Sequence, residues 1–314
     1  MTHDTTERPA PPDANPRRWP AIVALVVAAS LWSLNGPLIK LLNEGGAGVH
    51  PLTLACYRSL LGGLLFLPFA WRLRRSLRNV APGWSVAGVI TFTVMTAAFV
   101  TATTQTTAAN AILLQYTAPL WVFLLAPLVL REKPHWREGI VLVIMLTGVG
   151  VIFAGEPAGE VRGLSLALFA GAGYGALTIL LRKLRAVSPT VVTCVNTLGS
   201  GLILLPSVGL WASYVVTPRQ AVLIVVLAVV QFTIPYLLFS WALQRVEAHR
   251  ASLLTVLEAL LNPLGAYCFV GEAPSAATFR GGPIILLGYA AWILVGWRGS
   301  PQPVRPAVSA TREP

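Results

Sequence analysis

The sequence predicts an all-α integral membrane protein of ten transmembrane helices, arranged as two inverted five-helix repeats. Three observations predict it. Ten apolar stretches fill the chain between residues 20 and 297. Basic residues gather in every second connection. Pieces of the first half reappear about 140 residues later, in the same order.

The spans read as 20–42, 51–71, 82–104, 108–130, 137–155, 163–183, 189–211, 219–243, 249–271 and 278–297. An apolar run of about 20 residues crosses a bilayer as a helix, because backbone polar groups must bond internally where water is missing. Hydrophobic residues make up 55% of the chain and charged ones only 11%, too few to solvate a globular surface of 314 residues. Residues 1–18 and 299–314 are rich in Pro and charge and carry no apolar run, so both are expected to be disordered tails. The first apolar stretch lacks a convincing cleavage site and is read as a retained helix rather than a signal peptide.

Lys and Arg in the short flanks set orientation. Eighteen lie in the two tails and the even-numbered loops, with the densest run at Arg72, Arg74, Arg75 and Arg78. The odd loops hold three, Arg162, Arg219 and Arg280, while Lys40 and Arg58 fall inside spans. The bias predicts a multi-pass protein of the plasma (inner) membrane with both termini cytoplasmic. The formal charge of +11 therefore faces anionic headgroups and calls for no nucleic-acid partner.

The internal match is specific in offset. At a shift of 140, Phe99-x-x-Ala102 meets Phe239-x-x-Ala242, Ala111 to Leu114 meets Ala251 to Leu254, and Glu132-x-Pro134 meets Glu272-x-Pro274. Trp32 meets Tyr174 and Lys40 meets Arg182 at 142, and Pro51 meets Pro189 at 138. Two repeats follow, 19–156 and 157–298, each with five helices. An odd number of spans forces the second copy to enter the membrane upside down. Inverted repeats place a cavity near the midplane and allow alternating access by rocking.

These residues resemble the drug/metabolite transporter superfamily, specifically its EamA-type ten-helix members. The resemblance is carried by Trp32-Ser-Leu-Asn35 running to Lys40, Pro51 followed by Arg58, Phe99-x-x-Ala102, and Pro119 running to Glu132. Glu272, Gly281 and Gly288 carry it in the second repeat. The position matching Pro119 is Ala259, with Pro263 one turn later, so a kink in the ninth helix is expected to be displaced. The resemblance implies transport of a small molecule, often export.

Polar groups inside spans mark the candidate site. Glu258 lies about 10 residues into the ninth span, or about 15 Å deep, where an ionised side chain costs several kcal/mol without water or a partner. It suits a proton-titrating group or a counter-ion for a cationic substrate; a protonated carboxyl bonded between helices is the plainer alternative. Thr255, Glu258 and Asn262 share one helical face, which is expected to point at the cavity. Arg58, about 10 Å deep, suits a carboxylate or Glu258 as partner, or a structural role, which the resemblance favours because it implies an arginine there whatever the substrate. Asn35, Arg58 and Gln115 fall at similar depth. Trp32, Tyr116, Tyr174, Gln231, Tyr236 and Trp241 complete the candidates, as an aromatic wall with a few polar groups; singly, each Trp or Tyr reads equally as packing. Pro119, Pro235 and Pro263 are expected to interrupt the fourth, eighth and ninth helices. Ala167, Gly171 and Gly175 form a small-residue packing ridge, and threonines of 91–107 are expected to bond back to their own helix.

An intramembrane enzyme is the rival class. No His pair, HExxH, GxSxG or P-loop pattern appears, and one deep carboxylate makes no catalytic pair. Cys56, Cys194 and Cys268 sit in three different spans without CxxC spacing, so no metal, disulfide or cofactor is implied. The reading is a secondary transporter of a small organic metabolite, with export favoured. An amino-acid-like zwitterion and proton coupling fit Arg58 and Glu258; a non-transporting membrane scaffold is the other alternative.

Overall fold

The computed structural model describes residues 18–44, 48–130, 136–243, 245 and 248–299. Apart from residues 18 and 299, the proposed tails fall outside these, as do residues 132–134. Thirteen α-helices run through the described residues, with no strand among them. They are α1 (Arg18–Trp32), α2 (Asn35–Leu42), α3 (Pro51–Leu73), α4 (Pro82–Gln105), α5 (Ala108–Gln115), α6 (Ala118–Val129) and α7 (Trp136–Gly155). Then come α8 (Val161–Lys183), α9 (Pro189–Trp211), α10 (Pro218–Val226), α11 (Ile234–Leu243), α12 (Ala248–Val270) and α13 (Ala276–Gly299). A π-helical turn, Leu227–Thr233, joins α10 to α11.

Local chemistry fixes the starts. Pro51, Pro82, Pro189 and Pro218 open four helices, where a missing N–H costs nothing and a fixed φ is already helical. The His50 ring accepts from the Leu52 amide, and Thr217 with Gln220 forms a capping box.

Among the described residues, eight segments are long and apolar enough to cross a membrane: Trp19–Leu42, Pro51–Arg78, Pro82–Gln105, Ala108–Val129, Ala158–Lys183, Pro189–Trp211, Pro218–Phe239 and Ala276–Leu294. The expected fifth and ninth spans have shorter apolar runs, Gly139–Gly155 and Leu254–Val270. Large apolar side chains such as Leu128, Ile140, Val143 and Leu287 project outward. Four tryptophans carry a basic side chain against the ring: Trp71 with Arg74, Trp84 with Lys183, Trp136 with Arg137 and Trp241 with Arg245. All four pairs lie at the Arg-rich ends of their helices.

Packing repeats itself between halves. Helix α3 lies along α9, α7 along α13, α4 along α8, and α1 along α11 and α12. The Cys56 thiol donates to the Gly201 carbonyl at 3.4 Å, and the Cys194 thiol donates to the Gly63 carbonyl at 3.5 Å. Cys194 and Gly201 each lie 138 residues after Cys56 and Gly63, so the two contacts are one contact made twice. Moving up α3 means moving down α9, and the two helices run antiparallel. Gly148 abuts Ile285, and Gly288 abuts Met145; the same exchange at a shift of 140 makes α7 and α13 antiparallel.

The ridge of Ala167, Gly171 and Gly175 seats α8 on α5 and α6. A Cβ on Gly171 would fall 2.7 Å from the Leu114 carbonyl oxygen, and one on Gly175 2.7 Å from that of Ala118. Thr93, Thr101, Thr103 and Thr104 bond to carbonyls three or four residues back, as expected.

Candidate substrate cavity

Three proline-linked irregularities build the site. Proline cannot donate to the carbonyl four residues earlier. Pro37 leaves the Ser33 carbonyl free, and the helix breaks at Ser33 and Leu34 between α1 and α2. Pro119 leaves the Gln115 carbonyl free, and the chain turns at Tyr116 and Thr117 between α5 and α6. Pro235 leaves the Gln231 carbonyl free, just after the π-helical turn. Such turns widen the helix locally and recur at functional sites. Each irregularity delivers an amide side chain, Asn35, Gln115 or Gln231, to one cavity. Helix α12, in contrast, runs unbroken through Pro263, so the expected interruption there is absent.

The cavity encloses about 270 Å³. Trp32, Asn35, Arg58, Gln115, Tyr116, Tyr174, Gln231, Tyr236 and Glu258 all line it. Asn262 does not. It is fully buried where α12 packs on α2, close enough that a Cβ on Gly36 would fall 2.6 Å from its Oδ1. The polar stripe of α12 outruns the cavity: Thr255 and Glu258 face open space, and Asn262 one turn on meets a packed interface. Trp241 also lies elsewhere, 40% exposed under the Arg245 guanidinium.

Arg58 is 5% exposed and donates from Nη1 to Asn35 Oδ1 at 2.9 Å. Its guanidinium carbon lies 5.9 Å from the Phe232 ring centre, within cation–π range. It forms no ion pair with Glu258, which overturns that suggested pairing. Glu258 instead meets the Tyr116 hydroxyl at 3.3 Å, and that hydroxyl donates to the Thr255 carbonyl at 2.6 Å. One phenol proton cannot serve both acceptors fully. With that proton on the carbonyl, a protonated Glu258 can donate to the phenol oxygen.

Aromatic rings fill the space between. Trp32 stands 5.1 Å from Tyr236 and 5.2 Å from Phe239, Phe232 stands 4.9 Å from Tyr236, and Tyr116 stands 4.9 Å from Tyr289. Edge and tilted contacts of this kind lock the rings against one another.

Asn196 is a lining residue that sequence reasoning missed. It is 3% exposed, and its Oδ1 has no protein partner. The signal was available, since Asn196 is Arg58 displaced by the 138 residues that separate Pro51 from Pro189. The lining draws on both halves of the bundle's depth: on α8, α9, α12 and α13 it lies in the half nearest the Arg-rich end, as Tyr174, Asn196, Glu258 and Tyr289 do, whereas Asn35, Arg58, Thr96 and Gln115 lie in the half away from it.

A model of the EamA-like transporter family matches residues 19–154 and again 161–294. The chain belongs to the EamA-like transporter family. This EamA-like chain is 29% identical over 287 residues to an uncharacterized transporter of Archaeoglobus fulgidus, covering 88% of the chain and 95% of the relative. It is 26% identical over 272 residues to the uncharacterized transporter YwfM of Bacillus subtilis, covering 84% and 90%. One solved crystal structure superposes with a TM-score of 0.61 at 20% identity, covering 90% of this chain and 99% of the other; at that identity the likeness concerns the fold. The protein is a multi-pass membrane transporter, and its cargo is a small molecule.

Proposed function

We propose that the protein exports a small amino-acid-like metabolite from the cytoplasm across the plasma (inner) membrane by alternating access, with Glu258 as a proton-coupling group. The observation that carries this reading is the charge arrangement of one cavity. Arg58 is held there by a neutral amide and Glu258 by a phenol, so neither is paired with an opposite charge of the protein. A buried cation without an acidic partner is costly unless something anionic visits it. A zwitterion satisfies both ends at once.

The alternating-access part rests on ten crossing helices in two oppositely inserted halves, 19–156 and 157–298. The antiparallel exchange contacts of α3 with α9 and α7 with α13 support that arrangement. At 23 residues, α12 reaches about 35 Å as a helix, enough to cross despite its polar residues. The Arg-rich ends with their Trp–cation pairs support a cytoplasmic face there. On this reading the mid-depth cavity opens to that face, where an exporter loads.

The test is transport in liposomes. Glu258→Gln is expected to abolish the pH dependence of amino-acid flux while expression stays normal. Unchanged pH dependence removes Glu258 from coupling. A thermal-shift panel of amino acids, nucleosides and cationic drugs on purified protein tests the cargo class, since a ligand specific to the folded form raises stability. Stabilisation by a nucleoside or a cationic drug, with no amino acid effective, overturns the zwitterion reading.

A further inference from the structure

The end of the bundle opposite the Arg-rich ends is tied by one polar network. Lys40 Nζ lies 2.6 Å from Glu272 Oε2 and donates to the Thr106 carbonyl at 2.7 Å. Glu272 Oε1 accepts from the Ala108 amide at 2.6 Å. That amide opens α5 and has no partner within its own helix. The carboxylate also sits where the helix dipole favours negative charge. Beside it, Glu156 accepts from Asn110 at 2.9 Å and from Thr278 at 3.1 Å, and from Ser275 as well. Thr106 donates to Glu160 at 2.7 Å.

We propose that the Lys40–Glu272 ion pair is a latch that closes this end of the transport path and opens in each cycle, an inference that rests on the alternating-access reading above. Three features distinguish a latch from a static staple. The pair joins the two halves, since Lys40, Thr106 and Ala108 lie in the first family match and Glu272 in the second. Its side chains are 20% and 19% exposed, so water can take over its bonds on opening, which a dry pair would not allow cheaply. It is also wired to the cavity twice. Helix α5 runs from Ala108 at the latch to Gln115 and Tyr116 at the cavity, a rod of eight residues. Helix α12 carries Thr255 and Glu258 and ends just before Glu272. Tyr116 meets both of those residues, so a change at Glu258 reaches the latch through both helices.

The experiment needs no substrate. In full-length protein with Cys56, Cys194 and Cys268 replaced by serine, a reporter cysteine at the cavity-lining Thr96 is challenged with a membrane-impermeant maleimide from each face of sealed vesicles. The parent is expected to label slowly from the latch face and readily from the cavity face. Lys40→Met and Glu272→Gln are each expected to raise latch-face labelling about tenfold, the shift that a coupling of ordinary size produces. The charge-swapped double variant, Lys40→Glu with Glu272→Lys, is expected to return it towards the parent value. Unchanged cavity-face labelling shows that each variant is folded. Slow parent labelling that neither single variant accelerates overturns the latch alone, and so does a swapped pair that labels as fast as the singles. A parent labelled equally from both faces overturns the alternating-access reading together with the latch.

Discussion

Arg58 Nη1 donates to Asn35 Oδ1 at 2.9 Å, so the one Arg or Lys among the described residues lining the cavity is held by a neutral amide. Asn35 itself is placed by the break that Pro37 imposes on the first span. Together they give a cation positioned before any ligand arrives, with its Nε still unpartnered in the protein. Preorganisation of this kind lowers the ordering cost of binding.

Replacing Arg58 by Met removes a desolvated charge and keeps an unbranched apolar stem. Its thermal stability in detergent is expected to match or exceed the parent, because apolar replacement of buried charge is often neutral or stabilising. Binding of any amino acid that stabilises the parent should weaken by about 2 kcal/mol, the worth of a hydrogen bond to a charged group. Equal ligand-induced shifts in parent and variant would assign Arg58 a purely structural role.

The seam between α3 and α9 makes a second, independent test. A Cβ on Gly63 would fall 2.7 Å from the Leu198 backbone, so the helices must separate to admit alanine. Gly63→Ala is expected to cost about 1–3 kcal/mol, the usual range for overpacking. Gly150 in α7 has open space around its Cβ position, and Gly150→Ala should be neutral or mildly stabilising by helix propensity. Thermal melts of the two variants against the parent check the contrast. Equal losses would mean that the seam is not the tight contact described.

Hydropathy and loop charge made the helices legible because the bilayer imposes one length and one sign rule on every span. The cavity was legible to the extent that its polar residues are conspicuous in apolar sequence, which is why Glu258, Arg58, Asn35 and Gln115 could be singled out. Two things were not. Counting residues along α12 put Asn262 on the Glu258 face, but a periodicity cannot say where a cavity ends and a helix interface begins. The π-helical turn at Leu227–Thr233 was also invisible as such, although Pro235 stands four residues after Gln231 as Pro119 does after Gln115. The Lys40–Glu272 contact crosses 232 positions of sequence, and only the fold brings its two ends together.

Asn262 turns that misreading into a prediction. Its side chain is 0% exposed, and neither Oδ1 nor Nδ2 has a protein partner. Each unmet buried group carries a desolvation cost of about 1–3 kcal/mol. Asn262→Leu removes both while keeping the heavy-atom count and branching, so its melting temperature is expected to equal or exceed that of the parent. Ligand-induced stabilisation should be untouched, because Asn262 sits beyond the cavity wall. A cavity residue would differ in the second readout, with the ligand response lost. Loss of the ligand response in this variant would return Asn262 to the binding surface and mean that the cavity extends past Glu258 towards Gly36.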